Sequence, residues 1–276
     1  MSLSKSILAG IGTALIGNSA YGATTVFHFS VNDTDAAGLP VVPSVGGSDG
    51  TAQDPFTDLL SANIPTSGVP AGAGNRSIVG AGAAGSAGIN SASTQELSNS
   101  LITAEGGFVM ESWFLWNGGG NVNSIIDYAG TEKFRLNGGS GVLDFNFDSG
   151  TGAQDIGTIT AGVWHYVAVI FEWDGGATNA DGGIGGTLSY FLDSTVPLGT
   201  ATVVKDDFGD GLNRAIGVGR HPVGFVGDDF DGLIYEPRVT LGVLTPGELL
   251  NTVPEPSTAL FGACASLFLL GRRRRL

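Results

Sequence analysis

Carboxylates are the side chains of this sequence best placed to do chemistry, with twenty-six Asp and Glu against twelve Lys and Arg. Glycoside hydrolysis needs two of them flanking the bond, roughly 5 to 9 Å apart, and calcium takes six to eight hard oxygens. The nearest approach to an acid/base pair is Asp229-Phe230-Asp231 with Glu236 five residues further on. On a strand, alternation puts Asp229 and Asp231 on one face and Glu236 on the other, so the spacing does not suit hydrolysis. The acidic loop DDFGDG at 206–211 lacks the alternating ligand spacing of an EF-hand. The histidines His28, His165 and His221 are far apart and show no H-E-x-x-H spacing, and the chain has no nucleophile elbow, P-loop or dinucleotide fingerprint. Aromatic side chains offer a different chemistry, stacking on sugar faces. Trp116, Trp173 and Tyr190 lie at strand ends or near loops, where a rim site would be, and the same positions also suit filling the core or plugging sheet edges. Trp164 and His165 open a long strand after a glycine turn, and here the indole is expected in the core with the imidazole hydrogen-bonded nearby.

The elements that must position these residues have period two rather than 3.6. GFVMESWFLW, NSIIDYAG, EKFRLNGG, GVLDFNFDSG, VWHYVAVIFEW, GTLSYFLD, RAIGVG and FDGLIYEPRV are short runs rich in β-branched and aromatic residues, bounded by turn residues. Strands in regular succession predict an all-β sandwich or jelly roll. Asn137-Gly138-Gly139, Asp148-Ser149-Gly150 and Asp174-Gly175-Gly176 supply turns that tolerate positive φ. A short helix is expected near Thr245-Pro246-Gly247-Glu248, where Thr245 can cap and Pro246 fits the first turn. Residues 67–93 are Gly, Ala or Ser at nineteen of twenty-seven positions and read as loop and edge structure with a strand at 77–79. No internal repeat or second domain is legible.

The two ends have a different character. A lone Lys5 precedes an apolar stretch at 7–17, and Ala20 and Gly22 place small side chains before a cut after Gly22, the layout of a secretory signal over 1–22. At the other end stands VPEPSTALFGACASLFLLGRRRRL. Its apolar run at 258–271 would reach only about 21 Å as a helix, against a bilayer core of roughly 30 Å. Arg272, Arg273, Arg274 and Arg275 should stay on the cytoplasmic side. The order Pro254-Glu255-Pro256, short apolar run, terminal arginine cluster resembles the PEP-CTERM sorting signal of bacterial exported proteins. That resemblance implies an exosortase-type processing enzyme as partner, the inner membrane as a transient or permanent anchor, and delivery to the cell envelope or extracellular matrix. An uncleaved membrane anchor is the alternative. The expected division is thus a signal at 1–22, a domain at 24–251 and a sorting segment with an apolar helix at 253–276. Cys264, the only cysteine, sits in that segment, so the body contains no intramolecular disulfide.

A second resemblance covers about 140 residues. FVMESWFLW at 108–116, ITAGVWHYVAVIFEWDGG at 159–176, TLSYFLDS at 187–194 and FDGLIYEPRVTLGVLTPGEL at 230–249 are similar, in order, to the strands of laminin-G-like domains of the concanavalin A-like lectin/glucanase superfamily. Ser194 stands where that group usually has Gly, and Tyr235 where Asp is frequent. The resemblance implies an antiparallel jelly-roll sandwich. It also implies structural calcium, for which Asp33 and Asp35, just after the first strand, would meet Asp231 and Glu236 of the last. The Glu-x-Asp-x-x-Glu strand of the superfamily's glucanases is missing, so no catalytic residues are assigned and an enzyme is not expected. The net charge of −14 argues against nucleic acid as a partner and is compatible with cations and neutral glycans. The function expected is a non-catalytic carbohydrate- or matrix-binding protein of the cell envelope. A structural or adhesive surface protein is the alternative, and a glycoside hydrolase comes third.

Overall fold

The computed structural model describes residues 23–31, 41–42, 50–53, 60–70, 72–81, 88–91, 97–119, 122–128, 132–147, 153–177, 183–205, 215–222 and 229–252. In chain order the strands are β1 (Thr24–His28), β2 (Val41–Val42), β3 (Gly50–Gln53), β4 (Leu60–Ser61), β5 (Ser77–Ala81), β6 (Gly88–Ser91), β7 (Gly107–Trp116) and β8 (Val122–Tyr128). They continue as β9 (Glu132–Asn137), β10 (Val142–Phe147), β11 (Ala153–Thr158), β12 (Trp164–Ala177), β13 (Ile184–Leu192), β14 (Gly199–Lys205), β15 (Ile216–Val218) and β16 (Asp231–Leu241). They form two antiparallel sheets. The first runs β14-β13-β12-β7-β16-β5-β4, with β1 also paired to β16, and the second runs β11-β10-β9-β8-β15-β6-β3-β2. The expected all-β antiparallel sandwich is therefore present, with its first and last strands side by side.

Alternation explains the layers. Phe108, Met110 and Phe114 of β7 and Val167, Val169 and Phe171 of β12 meet Phe134, Leu136, Phe145 and Phe147 of the second sheet in a buried core. Phe147 and Phe171 stand 5.2 Å apart across it. The other face of the first sheet is covered as well: Val109, Trp113, Ala168 and Ile170 pack against Leu244, Leu249 and Leu250 from the C-terminal segment and against Ile64 and Val69. All ten positions of β7 are consequently buried, which is why bulky apolar residues occupy both of its faces instead of alternating with exposed polar ones.

One helix was not expected. α1 (Asn99–Glu105) starts at Ser98, whose hydroxyl accepts from the Leu101 N–H at 3.2 Å, and ends at Gly106 with φ +81°. It buries only Ile102, too little to show a helical period in sequence. At the position where a helix was expected there is a single 3-10 turn, Pro246–Glu248, with the Glu248 carboxylate accepting from the Thr245 N–H at 2.8 Å. Among the described residues no helix is long and apolar enough to cross a membrane.

Candidate functional site

The covered outer face of the first sheet carries a row of aromatic rings. Tyr166 of β12 stands opposite Trp113 of β7, which stands opposite Tyr235 of β16. Residues paired in this way share a face and touch: the ring centroids of Trp113 lie 4.8 Å from Tyr166 and 6.1 Å from Tyr235. Trp164, two residues before Tyr166 on the same face, lies 6.3 Å from Tyr235 and donates its indole N–H to Asn63 Oδ1 at 3.1 Å.

A buried carboxylate on the same face fixes this row. Glu111 is fully buried on β7. It accepts from the Tyr166 hydroxyl at 2.5 Å, from Arg238 Nε at 2.6 Å and from the Leu250 N–H at 2.8 Å, and it pairs with the Arg238 guanidinium a second time. A charge in such a place persists only when paired and hydrogen-bonded. Burial, and then the Glu111 charge, push the Tyr166 phenol well above its ordinary value. The Leu250 N–H draws the C-terminal segment down onto the sheet, and that segment becomes a wall.

Between the walls a groove of about 590 Å³ stays open, within the usual range for small-molecule sites. Trp113 and Tyr166 form its floor and Trp164 a partly exposed platform, while residues 65–68, the Gly162-Val163 turn, Asp193 and Asn251 complete the lining. Asp193 has φ +50°. Its Oδ1 accepts from the Tyr166 N–H and its Oδ2 from His165 Nδ1, both at 2.7 Å. That hydrogen bond, with the carboxylate charge, raises the His165 pKa above its ordinary value. An Asp-His pair is two-thirds of a hydrolytic triad. The remaining ring nitrogen, however, faces the backbone N–H of Thr160 at 3.4 Å, where a triad would need a nucleophile.

The residues singled out from sequence lie elsewhere. Trp116 is buried in the inter-sheet core and donates to the Gly119 carbonyl at 3.2 Å, while Trp173 and Tyr190 pack partly buried against that core. Trp164, expected in the core, instead lies on the outer face and lines the groove. Asp231 accepts from Asn117 Nδ2 at 2.9 Å at the start of β16. Glu236 lies five residues away, roughly 16 Å along an extended strand, at a bulge where its φ is +50°. Its two oxygens are already engaged, by His28 Nε2 at 2.5 Å and by the Gly74 N–H at 2.7 Å. Among the described residues no three His, Cys, Asp or Glu side chains converge on a metal site. Asp33, Asp35, Pro254, Glu255, Pro256, Arg272, Arg273, Arg274 and Arg275 lie outside the described residues. Sequence reasoning missed Trp113, Tyr166, Asp193 and Asn251 as a set. The available signal was the pairing of two aromatic-rich strands, read on their outer rather than inner faces.

No family model matches this sequence, and no curated protein matches it. Among solved structures, domain 4 of AbnA, a GH43 extracellular arabinanase from Geobacillus stearothermophilus solved with arabinotriose, aligns with 83% of this chain and 97% of its own, at TM-score 0.50 and 16% identity. The Trypanosoma rangeli sialidase solved with sialic acid aligns with 82% of this chain at TM-score 0.49 and 11% identity, and the binding domain of botulinum neurotoxin serotype D/C with 82% at 0.48 and 12%. The matched region spans 32% and 50% of those two chains. The likeness to the arabinanase domain is one of fold, and it defines the class: an antiparallel β-sandwich.

Proposed function

We propose that this chain is a non-catalytic carbohydrate-binding protein whose glycan lies in the groove over Trp113, Trp164 and Tyr166. The observation that carries the reading is the groove itself, an aromatic platform rimmed by Asp193 and Asn251 and held rigid by Glu111. A flat ring stacks on the apolar face of a sugar while polar side chains at the rim take its hydroxyls. A domain of the same fold was solved with arabinotriose, which agrees with this use of the sandwich. The reading as a binding protein rather than a hydrolase is supported by the lining carboxylate, Asp193, whose oxygens are already bonded to His165 and to a backbone N–H. Hydrolysis would need a second carboxylate across the bond. Glu111 lies beneath Tyr166 and is committed to Arg238.

The test is a glycan panel, including the host's own exopolysaccharide, probed with the purified protein and with Trp164→Ala. Binding that weakens at least tenfold in the variant, about 1.4 kcal/mol, with an unchanged melting temperature, is the expected result. Binding to none of the panel overturns the reading. We further propose export through the N-terminal signal, and envelope sorting through the tail by an exosortase-type enzyme, as the ends of the sequence imply. A second reading, a surface protein that binds other proteins, is favoured by the exposure of Val196 (69%) and Leu198 (55%) in the turn after β13. Strictly monomeric sedimentation and no capture of envelope proteins would count against it.

A further inference from the structure

The groove is acidic where charged sugars would need it to be basic. Among the described residues of its lining, Asp193 is the one charged side chain and there is no Lys or Arg. The Arg238 guanidinium is spent elsewhere, with its Nε on Glu111 and another nitrogen on the Glu248 carbonyl at 3.0 Å. His165 stands behind Asp193 and spends its Nδ1 on that carboxylate. Recognition of a carboxylate, sulfate or phosphate relies on charge-assisted donors, above all a guanidinium fork. Here an anionic sugar would instead meet indole, a carboxylate and a chain of net charge −14.

Hydroxyls fit what the groove does offer. The Asp193 side chain is 48% exposed, and each of its oxygens, already holding one donor, retains a lone pair for another. Asn251, also in the lining, has its Oδ1 buried without a hydrogen-bond partner. The exposed Asp193 oxygens can accept from sugar hydroxyls while the indole meets the apolar sugar face.

We propose that the groove selects uncharged glycans, with Asp193 accepting from sugar hydroxyls, and rejects uronate-, sialate- and sulfate-bearing ones. The inference rests on the glycan-binding reading and goes beyond it by naming the ligand class. It is tested with a neutral polysaccharide that the protein binds and the carboxymethylated form of the same polymer, by affinity electrophoresis of the purified full-length protein at fixed ionic strength. The neutral polymer should bind at least tenfold more tightly. Asp193→Asn, which keeps a residue tolerant of positive φ, should narrow that gap, and Trp164→Ala should weaken neutral binding. Melting curves show that each variant is folded. Equal or tighter binding of the charged polymer overturns this inference and leaves glycan binding in the groove standing, whereas neutral binding indifferent to Trp164→Ala overturns the groove as the site and this inference with it. If no polysaccharide binds, the functional reading itself fails and this inference with it.

Discussion

At the scale of single residues, two buried or half-buried pairs make sharp expectations. His165 is bonded to Asp193, and its raised pKa means that the folded state holds the proton more tightly than the unfolded chain. The stability from this pair is therefore fully present below the unfolded pKa of about 6.5, and it is lost as pH rises through the higher folded value. An NMR titration should place the His165 midpoint above that of a free histidine, and Asp193→Asn should bring it back down. Glu111 is the other case. Glu111→Ala leaves the buried Tyr166 hydroxyl without its partner and removes the counter-charge of the half-buried Arg238, a change that costs about 3 kcal/mol. A urea melt reads it directly, and a loss under about 1 kcal/mol would mean that the pair behaves like an exposed one. Tyr166 and Tyr235 are both held above the ordinary tyrosine pKa, in each case by burial first and then by a neighbouring glutamate. An absorbance titration should accordingly find two tyrosines that ionise only when the fold is lost.

At the scale of elements, β7 and its partners β12 and β16 contribute to the core on both faces of their sheet. Phe114→Ala, in the middle of β7 and fully buried, should cost about 3–5 kcal/mol. Ser98→Ala removes the N-cap of α1 and should cost about 1 kcal/mol. Comparing the two by thermal denaturation separates core from capping contributions. The contrast also tracks what a reader of the sequence can see. The strands at 107–116, 122–128, 132–137, 142–147, 164–173, 184–192 and 231–241 announce themselves through bulky alternating residues, because each buries a face. β11, AQDIGT, buries Ile156 alone and lies at a sheet edge, so nothing in its pattern separates it from loop. α1 is silent for the same reason. The site was harder still. Trp113 and Tyr166 look like core residues in sequence because they are buried, and only the coverage of the outer face by residues from both ends of the domain makes them a floor. Asp193 belongs to a turn whose geometry, a positive φ on a non-glycine residue, has no sequence signature.

At the scale of the whole molecule, the C-terminal segment is part of the domain rather than an appendage to it. Leu244, Leu249 and Leu250 close the outer face. A chain ending at Leu241 loses their burial, roughly 5 kcal/mol at about 1.5–3 kcal/mol for each side chain, and should melt much lower or fail to fold. One ending at Thr252 should melt like the full chain, because the wall is intact. The same arrangement has a mechanical side. Leu250 is moored to Glu111 on β7, a central strand, and not to an edge that could peel away one rung at a time. Tension applied beyond Thr252 would thus reach the middle of the sheet through Asn251, which lies in the groove lining. A tug there and a ligand in the proposed glycan groove would act on the same few residues.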